Sequence, residues 1–479
     1  MPAAAVVLAL TLARLVWLGL NEPNLYADEA QYWIWAQTVS GGYYSKPPLI
    51  AWTIAAMTTL CGETEGCIRL FSPLAHAATA LILGATATRL FDPGTGFWTA
   101  LLYATLPAVS VSCAIASTDA LLLTAWAGAL YALVRLREAP NLVSWSGLGL
   151  AVGMGLLAKY TMAGFVLSLA LWWLAERGPK PALRGPGPWL ASGLGLVVLA
   201  PNLAWNALHG FATVRHVGEN TNLAGGPSFK PGEAAEFLGA QFGVFGPITF
   251  SLLVWILTRP QTWRDPRARL LALFVVPLGV VMLVQSFLSR ANANWAAPIY
   301  AAGTILVAAW AVERARTLLL RASVALHCAA AMLIFLGPPA LAASGIELPR
   351  RLDPWMRQRG YDVLGQAIAR EAALHPDARF LFDQRRDMAS LIYYIRSHPF
   401  DGRIWTPHSP ARNSFEQTSP LRPSDHGPFL YVTRRTDAAE VLARFERTER
   451  VARLVVPTHR DAALRYTVWR VEGFRGYRD

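Results

Sequence analysis

The chain has 479 residues, 54% of them hydrophobic and only 15% charged, with 18 Trp and a formal net charge of +12 at pH 7. That composition excludes an ordinary soluble protein of this size and points to a membrane protein. Nucleic-acid binding, which a basic chain can suggest, is set aside because the excess charge sits in an arginine-rich tail and in loops where membrane topology collects it.

Crossing about 30 Å of hydrocarbon takes about 20 helical residues. Eleven apolar runs answer to this, at approximately 3–20, 68–88, 97–115, 119–135, 143–158, 161–176, 189–206, 237–258, 270–288, 294–311 and 318–340. The expected fold class is therefore an α-helical polytopic membrane protein with about 11 (11–13) transmembrane helices. With the amino terminus inside, the loops near 89, 135–142, 177–188, 259–269 and 312–321 hold 13 Lys or Arg, among them Arg177 and Lys180, against about five in the opposite loops. The alternation keeps its sign throughout, which places Asp28, Glu29 and Lys46 outside the cytoplasm. A cleaved signal peptide is the other reading of the first run. The lack of a basic leading segment, Arg14 inside the run and the lack of a small-x-small site before Asp28 speak against it.

After the first run, "YADEAQYWIWAQ" has the pattern of an amphipathic helix on the membrane surface, opened by Asp28 and Glu29, with Tyr32, Trp33 and Trp35 suited to the interface. "SKPPLIAW" starts a second such helix, Pro47 and Pro48 ending one path and setting the next. Cys61 and Cys67 in "CGETEGC" lie on the oxidising side in a short loop, a spacing that permits a disulfide. Cys113 and Cys328 read as packing residues in apolar helices. Asp119 in "ASTDALL", Lys159 in "LLAKYTMAGF", Arg215 and His216 in "HGFATVRHVGEN", and Arg290 with Asn292 and Asn294 in "SRANANWAAPIY" all fall at outer helix ends or loops. Taken singly, such charges are often solvated or snorkelling. Asp28 fits that bland reading least, since an acidic pair between an anchor and an amphipathic helix adds little to membrane stability. No His or Cys spacing resembles a zinc site.

Beyond residue 340 the last 139 residues carry 23 Arg, 17 acidic residues and no Lys. Strand-like runs ("ARFLFD", "GPFLYVTRR", "RVARLVVPT", "LRYTVWRVEGF") alternate with helical patterns ("YDVLGQAIAREAA", "RDMASLIYYIRS", "DAAEVLARF"). The expected organisation is a transmembrane domain over 1–340 and a small α/β domain over 341–479. After eleven crossings that domain lies on the side of the first loop, the periplasm in a Gram-negative cell.

Together, "YADEAQYWIWAQ" with "YYSKPPLIAW", "STDALLL", "LLAKYT" and "NANWAAPIY" resemble the bacterial protein mannosyltransferase-like family within the GT-C superfamily of polyprenyl-phosphate-sugar glycosyltransferases, over roughly residues 20–310. Relatives there include lipid A aminoarabinose and galacturonosyl transferases. The resemblance implies a multi-pass enzyme of the bacterial inner membrane, its active site facing the periplasm. It would move a sugar from a lipid-linked donor to an acceptor such as lipid A, another glycolipid, a polysaccharide or a protein, inverting the anomeric centre. Single displacement needs a carboxylate to take the acceptor proton and cations to hold the phosphate as charge builds on it.

Carried over position by position, Asp28 matches the catalytic acid, with Glu29 as the alternative base, and Asp119 matches the second acidic position. Lys46, Lys159 and Arg290 are the donor-phosphate candidates, with Arg215, His216 and Asn294 beside them. No obligatory metal or cofactor is expected, although Asp28 and Asp119 could ligate a divalent cation. The lack of any cytoplasmic nucleotide-binding motif favours a lipid-linked donor over a sugar nucleotide. A flippase or transporter of lipid-linked sugars is the rival reading. Transporters usually carry ionisable groups within the span, and here only Arg14, His76, Gln285 and His327 stand out there. A lipid-linked polysaccharide ligase is the other alternative.

Overall fold

The structure is a computed structural model describing residues 2–21, 23–176, 178, 184–220, 228–395, 401–425 and 427–477. Arg177 and Lys180 lie outside the described residues. The chain divides into two compact units, Met1–Asn21 with Ser40–Gly62 and Gly66–Leu333, and Glu22–Val39 with Glu63–Glu65 and Ile334–Asp479.

The first unit is helical. Among the described residues six helices are long and apolar enough to cross a membrane: Pro2–Leu20, Glu65–Leu90, Thr118–Glu138, Pro186–Leu208, Pro266–Leu288 and Thr317–Ala343. Leu142–Ala158, Tyr160–Ala175 and Ile299–Glu313 are shorter apolar helices at segments where spans were expected. Polar caps start several helices of this unit, Pro93–Thr105 and Leu142–Ala158 among them, where the first N–H groups lack partners within the helix. Asp92 accepts from Gly94 and Thr95 at 2.8 and 3.0 Å, and Asn141 accepts from Ser144 at 2.9 Å. The core is aromatic at its centre, with Phe165 between Trp126 (5.2 Å, edge-on) and Phe274 (4.8 Å). Two buried polar groups find partners inside, which offsets the cost of a low-dielectric interior. Arg14 donates to the Ala104 carbonyl at 2.5 Å and to Ser110 Oγ at 3.2 Å, while His76 bridges the Tyr103 and Ser112 hydroxyls at 3.0 and 2.9 Å. A disulfide joins Cys61 and Cys67.

Two expected spans are interrupted. The 97–115 segment is two helices, Pro93–Thr105 and Pro107–Ser112, because Pro107 supplies no N–H to continue the ladder. The 237–258 segment, expected as one span, is Pro231–Phe245 and Pro247–Leu257, bent by 115°. Gly246 makes the corner at φ 88° and ψ 144°, with Pro247 opening the second helix. A Cβ on Gly246 would also stand 2.0 Å from Nε2 of His327, so backbone conformation and packing both require glycine there.

In the second unit the helix Ala27–Ala36 packs on the helix Arg385–Ile395. Tyr32, Trp33 and Trp35, expected to lie in the membrane interface, are instead buried. Trp33 meets Tyr393 edge-on at 4.9 Å, and Trp35 Nε1 donates to Ser414 Oγ at 3.1 Å. Their periodicity marked an apolar face correctly, but protein rather than lipid covers it. A mixed five-stranded sheet has the order β2-β1-β3-β5-β4, with β1 Arg379–Phe382, β2 Gly402–Ile404, β3 Phe429–Thr433, β4 Phe445–His459 and β5 Ala462–Phe474. β1 runs parallel to β2 and β3, while β5 runs antiparallel to β3 and β4. β2 is too short to announce itself by alternation.

One buried cluster secures the start of this unit's C-terminal part. Asp353 accepts from Arg359 Nε at 2.8 Å and the Trp355 N–H at 2.8 Å, and lies 3.1 Å from His459 Nε2. Burial alone would raise its carboxyl, but the Arg359 hydrogen bond, with the Trp355 N–H, the Arg359 charge and His459, holds it below the usual carboxylate range.

A carboxyl held low in the fold contributes stability that is present above the unfolded carboxylate range, near pH 4, and is lost as pH falls through the folded value. Acid titration followed by tryptophan fluorescence should therefore show a stability loss below about pH 4 that Asp353→Asn blunts, with the variant about 1–3 kcal/mol less stable at neutral pH. Gly246→Ala forces both a disallowed backbone angle and a clash, and should lower the detergent-solubilised melting temperature, at a cost of about 1–3 kcal/mol for the backbone angle alone.

Candidate active site

Four of the expected site residues come together in the first unit. Asp119 sits in the first turn of Thr118–Glu138, where the N-terminal end of the helix dipole favours a carboxylate. Lys159 follows the last residue of Leu142–Ala158, where carbonyl groups favour a cation. Helix geometry thus brings opposite charges to adjoining ends, and Lys159 Nζ reaches Asp119 Oδ1 at 2.6 Å, with both side chains largely buried. Asn294, in the turn Ala293–Ala296, donates to the other oxygen, Oδ2, at 2.6 Å. Lys46 adds a further attraction to the same carboxylate. Both Asp119 oxygens are therefore engaged, which suits a residue that organises charge better than one that accepts a proton.

The loop carrying Lys46 is held by a network the sequence reading missed. Asn202 donates to the Gly41 carbonyl at 3.0 Å and accepts from the Tyr160 hydroxyl at 2.6 Å. Asn206, one turn on, donates to that hydroxyl at 3.1 Å. Thr213 donates to the Tyr43 carbonyl at 2.7 Å, and Trp52 Nε1 to the Ser40 carbonyl at 2.8 Å. Gly41 lets the loop approach so closely that an added Cβ would stand 2.5 Å from the Pro201 carbonyl oxygen. Burial pushes the Tyr43 phenol up to about 12, against a smaller opposing hydrogen bond from Ser40, so it stays neutral at physiological pH. The overlooked signal was Asn202 and Asn206 at i and i+4, two amides on one face of an otherwise apolar helix.

His216, on the helix Ala212–Asn220, has its ring centroid 5.2 Å from that of Tyr44, and its Nδ1 lies 3.9 Å from Glu219. Arg215 and Arg290 are exposed. Among the described residues the Arg290 guanidinium makes no ion pair.

Asp28 and Glu29 belong to the second unit. Glu29 is buried, and its Oε2 accepts from the Tyr26 N–H at 2.8 Å, closing the start of the helix Ala27–Ala36 as a cap. Asp28 is different, with its side chain 43% exposed. Its Oδ1 accepts from both Nη1 and Nη2 of Arg385 at 3.0 Å, and Gln31, one turn along, accepts from Nη1 as well. Among the described residues Oδ2 accepts no hydrogen bond. Of the three carboxylates, Asp28 alone combines exposure with an open oxygen. Arg385 was not singled out in sequence, because one arginine among many in the tail carries no local mark. Among the described residues no group of three or more His, Cys, Asp or Glu could hold a metal ion.

The family model for dolichyl-phosphate-mannose-protein mannosyltransferase matches residues 45–205. The lipid A galacturonosyltransferase RgtD of Rhizobium johnstonii is 35% identical over 93% of this chain and 94% of its own length. The undecaprenyl phosphate-alpha-4-amino-4-deoxy-L-arabinose arabinosyl transferase of Pseudomonas paraeruginosa is 34% identical over 27% of this chain and 25% of its own. Among solved structures, ArnT from Cupriavidus metallidurans in the apo state superposes with a TM-score of 0.64 over 97% of both chains at 17% identity, which establishes the GT-C fold. A likeness to RgtD along almost the whole length, on a GT-C fold bearing the paired acids and the "KPP" element, makes the chain a membrane-embedded glycosyltransferase of the protein mannosyltransferase-like family.

Proposed function

We propose that this enzyme transfers a uronic acid, galacturonate, from a polyprenyl phosphate to lipid A at the periplasmic face of a bacterial inner membrane. The acceptor and sugar class are those in the name of the relative that spans almost the whole chain, and a second relative is named for an undecaprenyl phosphate donor. Eleven crossings, with Asp28, Glu29, Lys46 and the C-terminal unit facing the periplasm, fit the charge alternation of the loops.

The observation that carries the assignment of roles is the open Oδ2 of Asp28. In one displacement an acceptor hydroxyl oxygen bonds to the anomeric carbon while the bond from that carbon to the phosphate oxygen breaks. The bonding pair leaves with the phosphate, and the hydroxyl proton passes to Asp28 Oδ2. Lys46 and Arg290 are the cations assigned to the leaving phosphate, with Arg215, His216 and Asn294 supporting the donor. Lys159 holds Asp119 and, through it, the local field. Asp119 orients rather than abstracts, and Glu29 caps its helix. No step requires a metal, since cationic side chains supply the charge a divalent ion would bring.

Two measurements test these roles with purified enzyme, polyprenyl-phosphate galacturonate and lipid A. Asp28→Asn should lower kcat by about 10²–10⁴-fold with an unchanged melting temperature, and a variant that keeps the wild-type rate rejects Asp28 as the base. Lys46→Ala or Arg290→Ala should weaken donor binding by about 2–5 kcal/mol where the ion pair is desolvated. Unaltered donor affinity in both variants, and in Lys159→Ala, would mean that the phosphate is held elsewhere.

A further inference from the structure

Arg385 lies 357 residues from Asp28 in the chain, yet it makes the most specific polar contact that Asp28 has. Both terminal nitrogens of one guanidinium converge on a single oxygen, Oδ1, at 3.0 Å each. The same Nη1 also donates to Gln31 Oε1, so the guanidinium is tied at two side chains. Asp28 and Gln31 stand at i and i+3 and therefore share a face of the helix Ala27–Ala36. That face is turned to the first residue of the helix Arg385–Ile395.

The surrounding packing shows that this approach is built into the fold. Trp33 is fully buried and meets Tyr393 edge-on at 4.9 Å. The Tyr394 hydroxyl accepts from the Leu25 N–H at 2.7 Å and donates to Glu65 at 3.0 Å, and the Tyr393 hydroxyl donates to the Glu63 carbonyl at 2.7 Å. The Trp33–Tyr393 contact joins the two helices directly, and the bonds of Tyr393 and Tyr394 to Leu25, Glu63 and Glu65 anchor the second helix beside the first, so that Arg385 meets Asp28 at a fixed place. Glu29, next in sequence, is turned away into its own cap, so the clamp selects one carboxylate of the pair.

We infer that Arg385 is a positioning residue for the transfer reaction: it holds Oδ1 of Asp28 and so fixes the carboxylate plane with Oδ2 directed to the acceptor hydroxyl. The inference rests on the reading of Asp28 as the base. A carboxylate free to rotate presents either oxygen in any orientation, whereas proton abstraction needs a lone pair aligned with the O–H as the new bond forms. It also gives the C-terminal unit a part in the chemistry, since this unit supplies the residue that orients the base.

The test compares Arg385→Gln, Arg385→Lys, Asp28→Asn and the double variant Asp28→Asn/Arg385→Gln in the full-length enzyme, with kcat, donor KM and melting temperature measured on the substrates above. Arg385→Gln should lower kcat about 10- to 100-fold without moving donor KM or the melting temperature. Arg385→Lys, which keeps the charge but offers one ammonium, should fall in between, and the double variant should be no slower than Asp28→Asn alone. An inactive Asp28→Asn beside an undiminished Arg385→Gln overturns this inference and leaves the base assignment standing. An additive loss in the double variant does the same, because Arg385 would then act independently of Asp28. An active Asp28→Asn overturns the base assignment itself and the inference with it. Should Arg385→Gln fail to fold, Arg385→Lys decides, and a wild-type kcat there removes the positioning role.

Discussion

The ion pair between Lys159 and Asp119 is the constraint on which the first unit's polar end depends. Each residue stands at a helix terminus of the sign its charge prefers, so the two helix dipoles and the two side chains act in the same sense. At 2.6 Å and with little solvent, such a pair is destabilising to break, because either partner alone would be a buried charge. The pair therefore fixes where Thr118–Glu138 begins and Leu142–Ala158 ends relative to each other. Asn294 then fastens the turn ahead of Ile299–Glu313 to the same carboxylate, and Lys46 brings its loop under the same field. Segments more than 240 positions apart in sequence are thereby referred to one point.

Around that point the protein solves a common difficulty of membrane enzymes, which is to keep polar groups where lipid would exclude them. Every amide or hydroxyl placed in an apolar setting needs a partner. Asn202, through both atoms of its amide, and Asn206, through its amide nitrogen, work in series with Tyr160 and the Gly41 carbonyl, so that the helix supporting the Lys46 loop is itself cross-linked by hydrogen bonds. Glycine at position 41 is what makes the approach short enough. Elsewhere the corner at Gly246 breaks an apolar stretch into two helices of quite different direction, and the His327 ring occupies the space that a side chain would have taken.

The three carboxylates illustrate how environment divides labour among chemically equivalent groups. Asp119 has both oxygens committed, Glu29 is folded back on its own helix start, and Asp28 is gripped by one oxygen with the other open. Adjacent residues with the same functional group thus differ in what they can accept, and the difference is made by neighbours rather than by the side chains.

Much of this molecule was legible in its sequence. Long apolar runs, the alternating charge of their loops, the α/β rhythm of the tail and the acid-plus-"KPP" element are all local signals, set by transfer energy, periodicity and residue type within a few turns of chain. They carry the helical membrane class, the small C-terminal sheet domain and the residues around which the site is argued. What the tertiary structure alone decided was which of those charges meet and which stay open. The pairing of Asp28 with Arg385, the inclusion of residues 22–39 with the C-terminal unit, the burial of Trp33 in protein and the 115° corner at Gly246 depend on contacts between distant segments. Local pattern is blind to these, because a side chain's partner is chosen by where the folded chain returns, and sequence spacing carries no measure of that return.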